Sequence, residues 1–214
     1  MKQKYTTHLL LLFFLSMYSF IGSAQTKSLT IDASQVFTIF RFIDSDGVKD
    51  KEYTSNVSGA YSLGFLYKFD NIGLIIHPRL GMRKAGATLV YDNSNYMWDM
   101  QYADFRLGLG YQFDLGMFNP YIKIAAYAAY LLKANQVLNN ENFDLKENGE
   151  LKTMDFGLVA LPGVHATLSD VISAYAEFNY LYGLGNIETS SSGQKGYNKA
   201  MAVTLGLAFT ITGE

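Results

Sequence analysis

The chain has 214 residues, with 17 Lys or Arg against 19 Asp or Glu, 49% apolar side chains, 16 Tyr, 15 Phe, three Pro and no Cys. A formal net charge of −2 gives no electrostatic case for binding nucleic acid. The lack of cysteine excludes a disulfide framework and a lipid-bearing cysteine, and the aromatic content argues against a disordered chain.

The first element is a secretory signal peptide over residues 1–24. Lys2 and Lys4 precede an apolar run from Leu9 to Leu15, and Gly22-Ser23-Ala24 sets cleavage between Ala24 and Gln25. Ser16 and Ser19 interrupt that run, and no later stretch reaches the roughly 18 apolar residues of a membrane helix. The mature chain is then one domain, 25–214, with 15 basic against 19 acidic residues.

Eight segments of the mature chain alternate apolar and polar residues and read as strands: 29–41, 59–69, 74–83, 100–113, 121–132, 153–165, 173–183 and 200–211. The first alternates least cleanly, because Asp32, Ser34 and Gln35 blur it, and the fourth most cleanly. In ADFRLGLGYQF, Ala103, Phe105, Leu107, Leu109, Tyr111 and Phe113 share one face and Asp104, Arg106, Gly108, Gly110 and Gln112 the other. Such a segment is long enough for a tilted strand to cross a bilayer.

Connections alternate in length. Residues 70–71, 114–120 and 168–170 are short turns, whereas 43–58, 84–99, 133–152 and 184–199 are long and polar. Outer-membrane barrels place short turns at the periplasm and long loops outside. The expected fold class is therefore all-β, an eight-stranded antiparallel transmembrane β-barrel of up-and-down meander type, located in the cell outer membrane. A closed sheet also satisfies every backbone polar group in lipid without a helix. Uninterrupted apolar faces such as Tyr61, Leu63 and Phe65, or Val203, Leu205 and Leu207, point to lipid outside. A lipocalin-like barrel would show the reverse polarity. Aromatic residues at the strand ends suggest interfacial girdles: Phe69, Phe113, Phe118 and Phe209 at the turn end, and Phe42, Tyr61, Tyr91, Trp98, Tyr130 and Tyr182 at the loop end.

The inward ionisable set is Lys68, His77, Arg79, Arg83, Asp104, Arg106, Lys123 and Glu177. Charges at membrane depth must pair or meet water. Eight strands leave a lumen about wide enough for side chains to fill it, with inward glycines such as Gly64 and Gly206 making room for long neighbours. A salt-bridged plug is the expected use of this set, with Asp104 and Glu177 as counter-charges; an ion or solute path is the alternative. His77 and His165 both fall near the turn end, away from the outer rim where a lipid-modifying enzyme would work, so no catalytic residue is assigned. Asp44-Ser45-Asp46-Gly47 starts like a calcium loop, but Ser55 stands where the bidentate Glu belongs, so a turn is expected and no metal or cofactor. Glu141, Asp144, Glu147 and Glu150 make the third loop mildly acidic, a solvated surface or a contact for a partner.

In their order, IIHPRLGMRKAGATL, PYIKIAAYAAYLLKA, DFGLVALPGV and EFNYLYGLGNI resemble the PorT-like outer-membrane β-barrel family of Bacteroidota, also labelled porin-family proteins. Ala85 between Lys84 and Gly86 departs from that family's Lys-Gly-Ala exit. The last strand is similar to the C-terminal signal read by the outer-membrane assembly machinery, with Thr204, Gly206, Phe209 and Ile211 in the matching positions. The resemblance implies a non-enzymatic structural element or binding platform in contact with outer-membrane lipid and lipopolysaccharide. It also implies the assembly machinery as a partner and a possible protein partner at the loops. A small-solute pore is the alternative function.

Overall fold

The computed structural model describes residues 25–49, 52–92, 94–139, 141–189 and 193–211. The segment read as a signal peptide lies outside them. Nine strands follow in order: β1 Gln25–Ile43, β2 Thr54–Phe69, β3 Leu74–Tyr91, β4 Ser94–Gln112, β5 Phe118–Leu138, β6 Glu141–Asp144, β7 Met154–Thr167, β8 Ile172–Gly183 and β9 Lys195–Thr210. Eight of them close into an antiparallel ring in the order β1-β2-β3-β4-β5-β7-β8-β9, with β9 pairing back onto β1. The short β6 stands outside the ring and, among the described residues, pairs only with the loop end of β5. The expected meander is thus present.

Alternation sets which face is which. Leu63, Leu80, Phe105, Leu107, Leu109, Ile122, Ile124 and Leu205 are 43% to 65% exposed on the outer wall, while Arg79, Asp104, Lys123, Glu177 and Thr204 are buried inside. Even β1 obeys this rule: Ser28, Thr30, Asp32 and Thr38 are buried inward, and Leu29 and Ile31 are exposed outward. An apolar exterior around a charged interior is the inverse of a water-soluble sandwich and matches a sheet solvated by lipid.

The strands reach further toward the loops than the alternation predicted. Residues 84–99, expected as a long loop, are the outer part of the β3–β4 hairpin, paired without a break as far as Tyr91 and Ser94. Thr88-Leu89-Val90-Tyr91 and Tyr96-Met97-Trp98 are strong strand formers, and Asp92, at φ +48°, turns the chain between them. In β5 the register slips between Gln101↔Lys133 and Tyr102↔Leu131, so one extra residue bulges there. Inward positions consequently change from odd, Leu131, to even, Ala134.

The loop-end girdle also needs correction. Trp98 shares the inward parity of Met100 and Tyr102, and it packs with Phe40 against the buried cluster inside the barrel. Phe42 likewise faces a cavity at the mouth. The interior in that half is apolar as well as polar: Met100, Leu131, Leu161 and Leu181 are buried together, closed from above by Leu145, Leu151 and Ile187 of the loops.

Candidate functional site in the lumen

Two charged clusters fill the lumen. The one nearer the turns is built from facing strands. Arg79 of β3 reaches across to Glu177 of β8 (3.0 Å) and to Asp32 of β1 (3.6 Å). Lys123 of β5 meets the second oxygen of Glu177 at 2.6 Å and donates to His77 Nδ1 at 3.0 Å, while His77 Nε2 faces Thr30 Oγ1 at 2.9 Å. Tyr121 donates to Glu177 (3.1 Å), and Tyr175 and Ser62 both donate to Asp32 (2.8 Å). All of the charged members are almost fully buried. Two cations therefore meet two carboxylates, each bonded more than once.

The second cluster lies toward the loops. Arg83 bridges Asp104 (2.7 Å) and Asp155 (2.6 Å), and Arg106 closes on the other oxygen of Asp104 at 2.6 Å. Tyr127 and Asn198 donate to Asp155, and the Arg83 guanidinium lies 4.6 Å from the Tyr102 ring centre and 5.1 Å from that of Tyr127. Again two cations face two anions. Buried ions hold full charge only when paired and hydrogen-bonded in this way, because desolvation otherwise outweighs attraction.

Of the eight ionisable residues predicted for the lumen, seven enter these clusters. Lys68 does not: it sits at the turn end, bonded to Asp114 (2.7 Å) and Asp70 (3.3 Å) in the turns. Its inward parity is unchanged, but it stands one residue from the end of β2, where the turn carboxylates are within reach. Sequence reasoning missed Asp155 and did not assign Asp32 as a counter-charge. Asp155 has the inward parity of Gly157 and Val159, which was the available signal.

Other predicted features resolve locally. His165 stacks on Tyr175 at 5.3 Å, and neither it nor His77 bonds a serine among the described residues. Asp44 accepts backbone N–H bonds from Asp46 and Val48, closing a turn. Asp144 does the same for Lys146 and Glu147. In the final strand, Thr204 is buried and bonds Asn179 and Ser34, whereas Phe209 and Ile211 face outward. Gly206 leaves room for a ring, since a Cβ there would fall 2.3 Å from Tyr175 Cζ. Residues 212–214 lie outside the described part.

No family model matches the chain, and no curated protein matches it in sequence. Solved structures do share its fold. Neisserial surface protein A is 14% identical, with a TM-score of 0.55 over 88% of this chain and 100% of its own. The outer membrane protein OprG of Pseudomonas aeruginosa is 13% identical, with a TM-score of 0.52 over 87% and 97%. A major outer membrane protein of Thermus thermophilus is 10% identical, with a TM-score of 0.52 over 86% and 99%. The chain thus has the fold of small outer-membrane β-barrels.

Proposed function

We propose that this chain is a non-enzymatic integral protein of the outer membrane whose barrel is closed to solutes and whose loop surface is the working part. The observation that carries this reading is the pair of charge-balanced clusters spanning the lumen, roofed by Leu145, Leu151 and Ile187. A conduit needs continuous water, and here the cross-section is occupied by paired side chains. The apolar exterior requires lipid. The fold shared with outer-membrane proteins and the signal peptide ending at Ala24 favour the outer membrane, reached through the assembly machinery that reads Thr204, Gly206, Phe209 and Ile211.

On the outer wall near the loops, Arg41 lies between the rings of Tyr182 and Tyr197, and Lys199 lies over Tyr180. Cations held among interfacial aromatics suit the phosphates of lipopolysaccharide, which is the lipid partner we assign. A protein partner at the loops is part of the same reading, and the order of strand motifs favours a PorT-like member of the outer-membrane barrels. Single-channel recording in planar bilayers tests the closed lumen. Wild type is expected to show no steady conductance, and a large, steady conductance altered in ion selectivity by Arg79→Ala and Arg106→Ala would replace this reading with the pore.

A further inference from the structure

A cavity of about 190 Å³ lies at the loop end of the barrel, above the charged clusters. Phe40 and Phe42 of β1, Tyr53 before β2 and Trp98 of β4 line it on one side. Their rings are not coplanar. Phe40 meets Trp98 edge-on at 5.9 Å and Tyr53 edge-on at 6.1 Å, while Tyr53 is tilted against Trp98 at 5.5 Å and against Phe42 at 5.8 Å. All four rings line the cavity, so it has an aromatic wall.

Together with Gln136, Gly196 and the apolar Leu145, Leu151 and Ile187, the cavity is also lined by Glu150 and Glu188. The backbone holds them there: Leu151 bridges Glu188, Lys152 N–H donates to Ile187 O (2.7 Å), and Thr189 N–H donates to Glu150 O (3.1 Å). Neither carboxylate has an ion pair with Lys or Arg among the described residues. The two carboxylates also act on one another, since burial, and then the facing Glu150 charge, raises the Glu188 pKa above its ordinary value. Glu188 is half-buried and Glu150 exposed, so two like charges stand beside an apolar, aromatic wall. The carboxylates and the negative faces of the aromatic rings favour the same guest, a cation.

We propose that this cavity binds a small alkylammonium ion, with the four rings taking its apolar, positively charged head and Glu150 and Glu188 supplying the counter-charge. The volume corresponds to about six waters, room for a trimethylammonium head with a short tail. A neutral guest of equal size would draw no attraction from the two carboxylates. Nothing in this site depends on whether the lumen conducts.

Trp98 is the chain's single tryptophan, so fluorescence excited at the red edge of the spectrum, where tyrosine does not absorb, reports on this cavity. The test titrates choline into the full mature barrel in a maltoside detergent, with 3,3-dimethylbutan-1-ol as the neutral isostere. A saturable fluorescence change is expected for choline and none for the isostere. Glu150→Gln and Glu188→Gln should each weaken binding by about tenfold, the loss of one close counter-charge. Each variant is first shown to keep the heat-modifiable gel mobility of the folded barrel, and Phe42→Leu, measured by calorimetry, removes one ring without touching the charges. Glycerophosphocholine separates the two sources of such a head: binding of choline alone assigns a free ammonium compound, and equal binding of both assigns a lipid headgroup. Equal response to the isostere, unchanged affinity in the double Gln variant, or no saturable change up to roughly 50 mM choline, a free energy near −2 kcal/mol, overturns the proposal.

Discussion

Replacing Arg83 by Met should be among the most damaging single changes in this chain. The guanidinium is 3% exposed and joins Asp104 to Asp155, whose own side chain is fully buried. After the change Asp104 retains Arg106 at 2.6 Å, but Asp155 retains only the Tyr127 hydroxyl and the Asn198 amide. An uncompensated buried carboxylate is the main cost, and breaking a buried pair in this way destabilises by about 3–5 kcal/mol. The Met side chain fills most of the vacated volume, so little of the loss comes from a cavity. Adding Asp155→Asn to Arg83→Met should restore at least about 2 kcal/mol, because the orphaned charge disappears while both hydrogen-bonding neighbours stay. Equilibrium guanidinium unfolding of the barrel in lipid vesicles, followed by Trp98 fluorescence and gel mobility, measures all four corners of the cycle. A loss within about 1 kcal/mol for Arg83→Met, or simple additivity of the two changes, would refute the reasoning.

Three further outcomes are expected. Leu107→Arg places a charge on the lipid face near mid-depth and should cost about 2–4 kcal/mol in the same unfolding assay, whereas a neutral result would reverse the assigned faces. Gly206→Val drives a side chain into the Tyr175 ring, whose hydroxyl bonds Asp32; a loss of about 1–3 kcal/mol should appear as a lower midpoint and be reduced by Tyr175→Leu. Burial, and then Glu150, raises the Glu188 pKa in the folded loops above its value in the unfolded chain, so its ionised form weakens them at neutral pH. Loop stability should therefore rise as pH falls from above the folded pKa toward the ordinary 4.5, and Glu188→Gln should flatten that rise in Trp98-monitored melting.

Much of the architecture is legible in strand parity. Leu107 outward and Arg106 inward follow from one alternation, and repeating it eight times gives the ring. What parity hid was the loop side. Met100, Leu131, Leu161 and Leu181 are apolar residues on the inner face, so their strands lose the contrast that marks a lipid-facing wall. Leu145, Leu151 and Ile187 belong to connections and reach the interior only because the chain folds back over the mouth. Aromatics near strand ends usually mark an interface, which is the expectation for Trp98 and Phe42, yet the strand register turns both inward. Asp155 was missed for a related reason: apolar Met154 and Phe156 flank it, and its partner Arg83 is 72 positions away in sequence.

That long separation bears on how the molecule comes together in time. Arg79 and Glu177 are 98 residues apart, and Asp32 and Tyr175 are 143 apart, joining strands that approach only when the first and last hairpins meet. Neighbouring hairpins form from local contacts, whereas these cross-links must wait until the circle shuts. They contribute little to the rate-limiting encounter and act afterwards as a latch. Their strength is therefore expressed in how slowly the finished barrel opens rather than in how quickly it forms, a form of kinetic persistence.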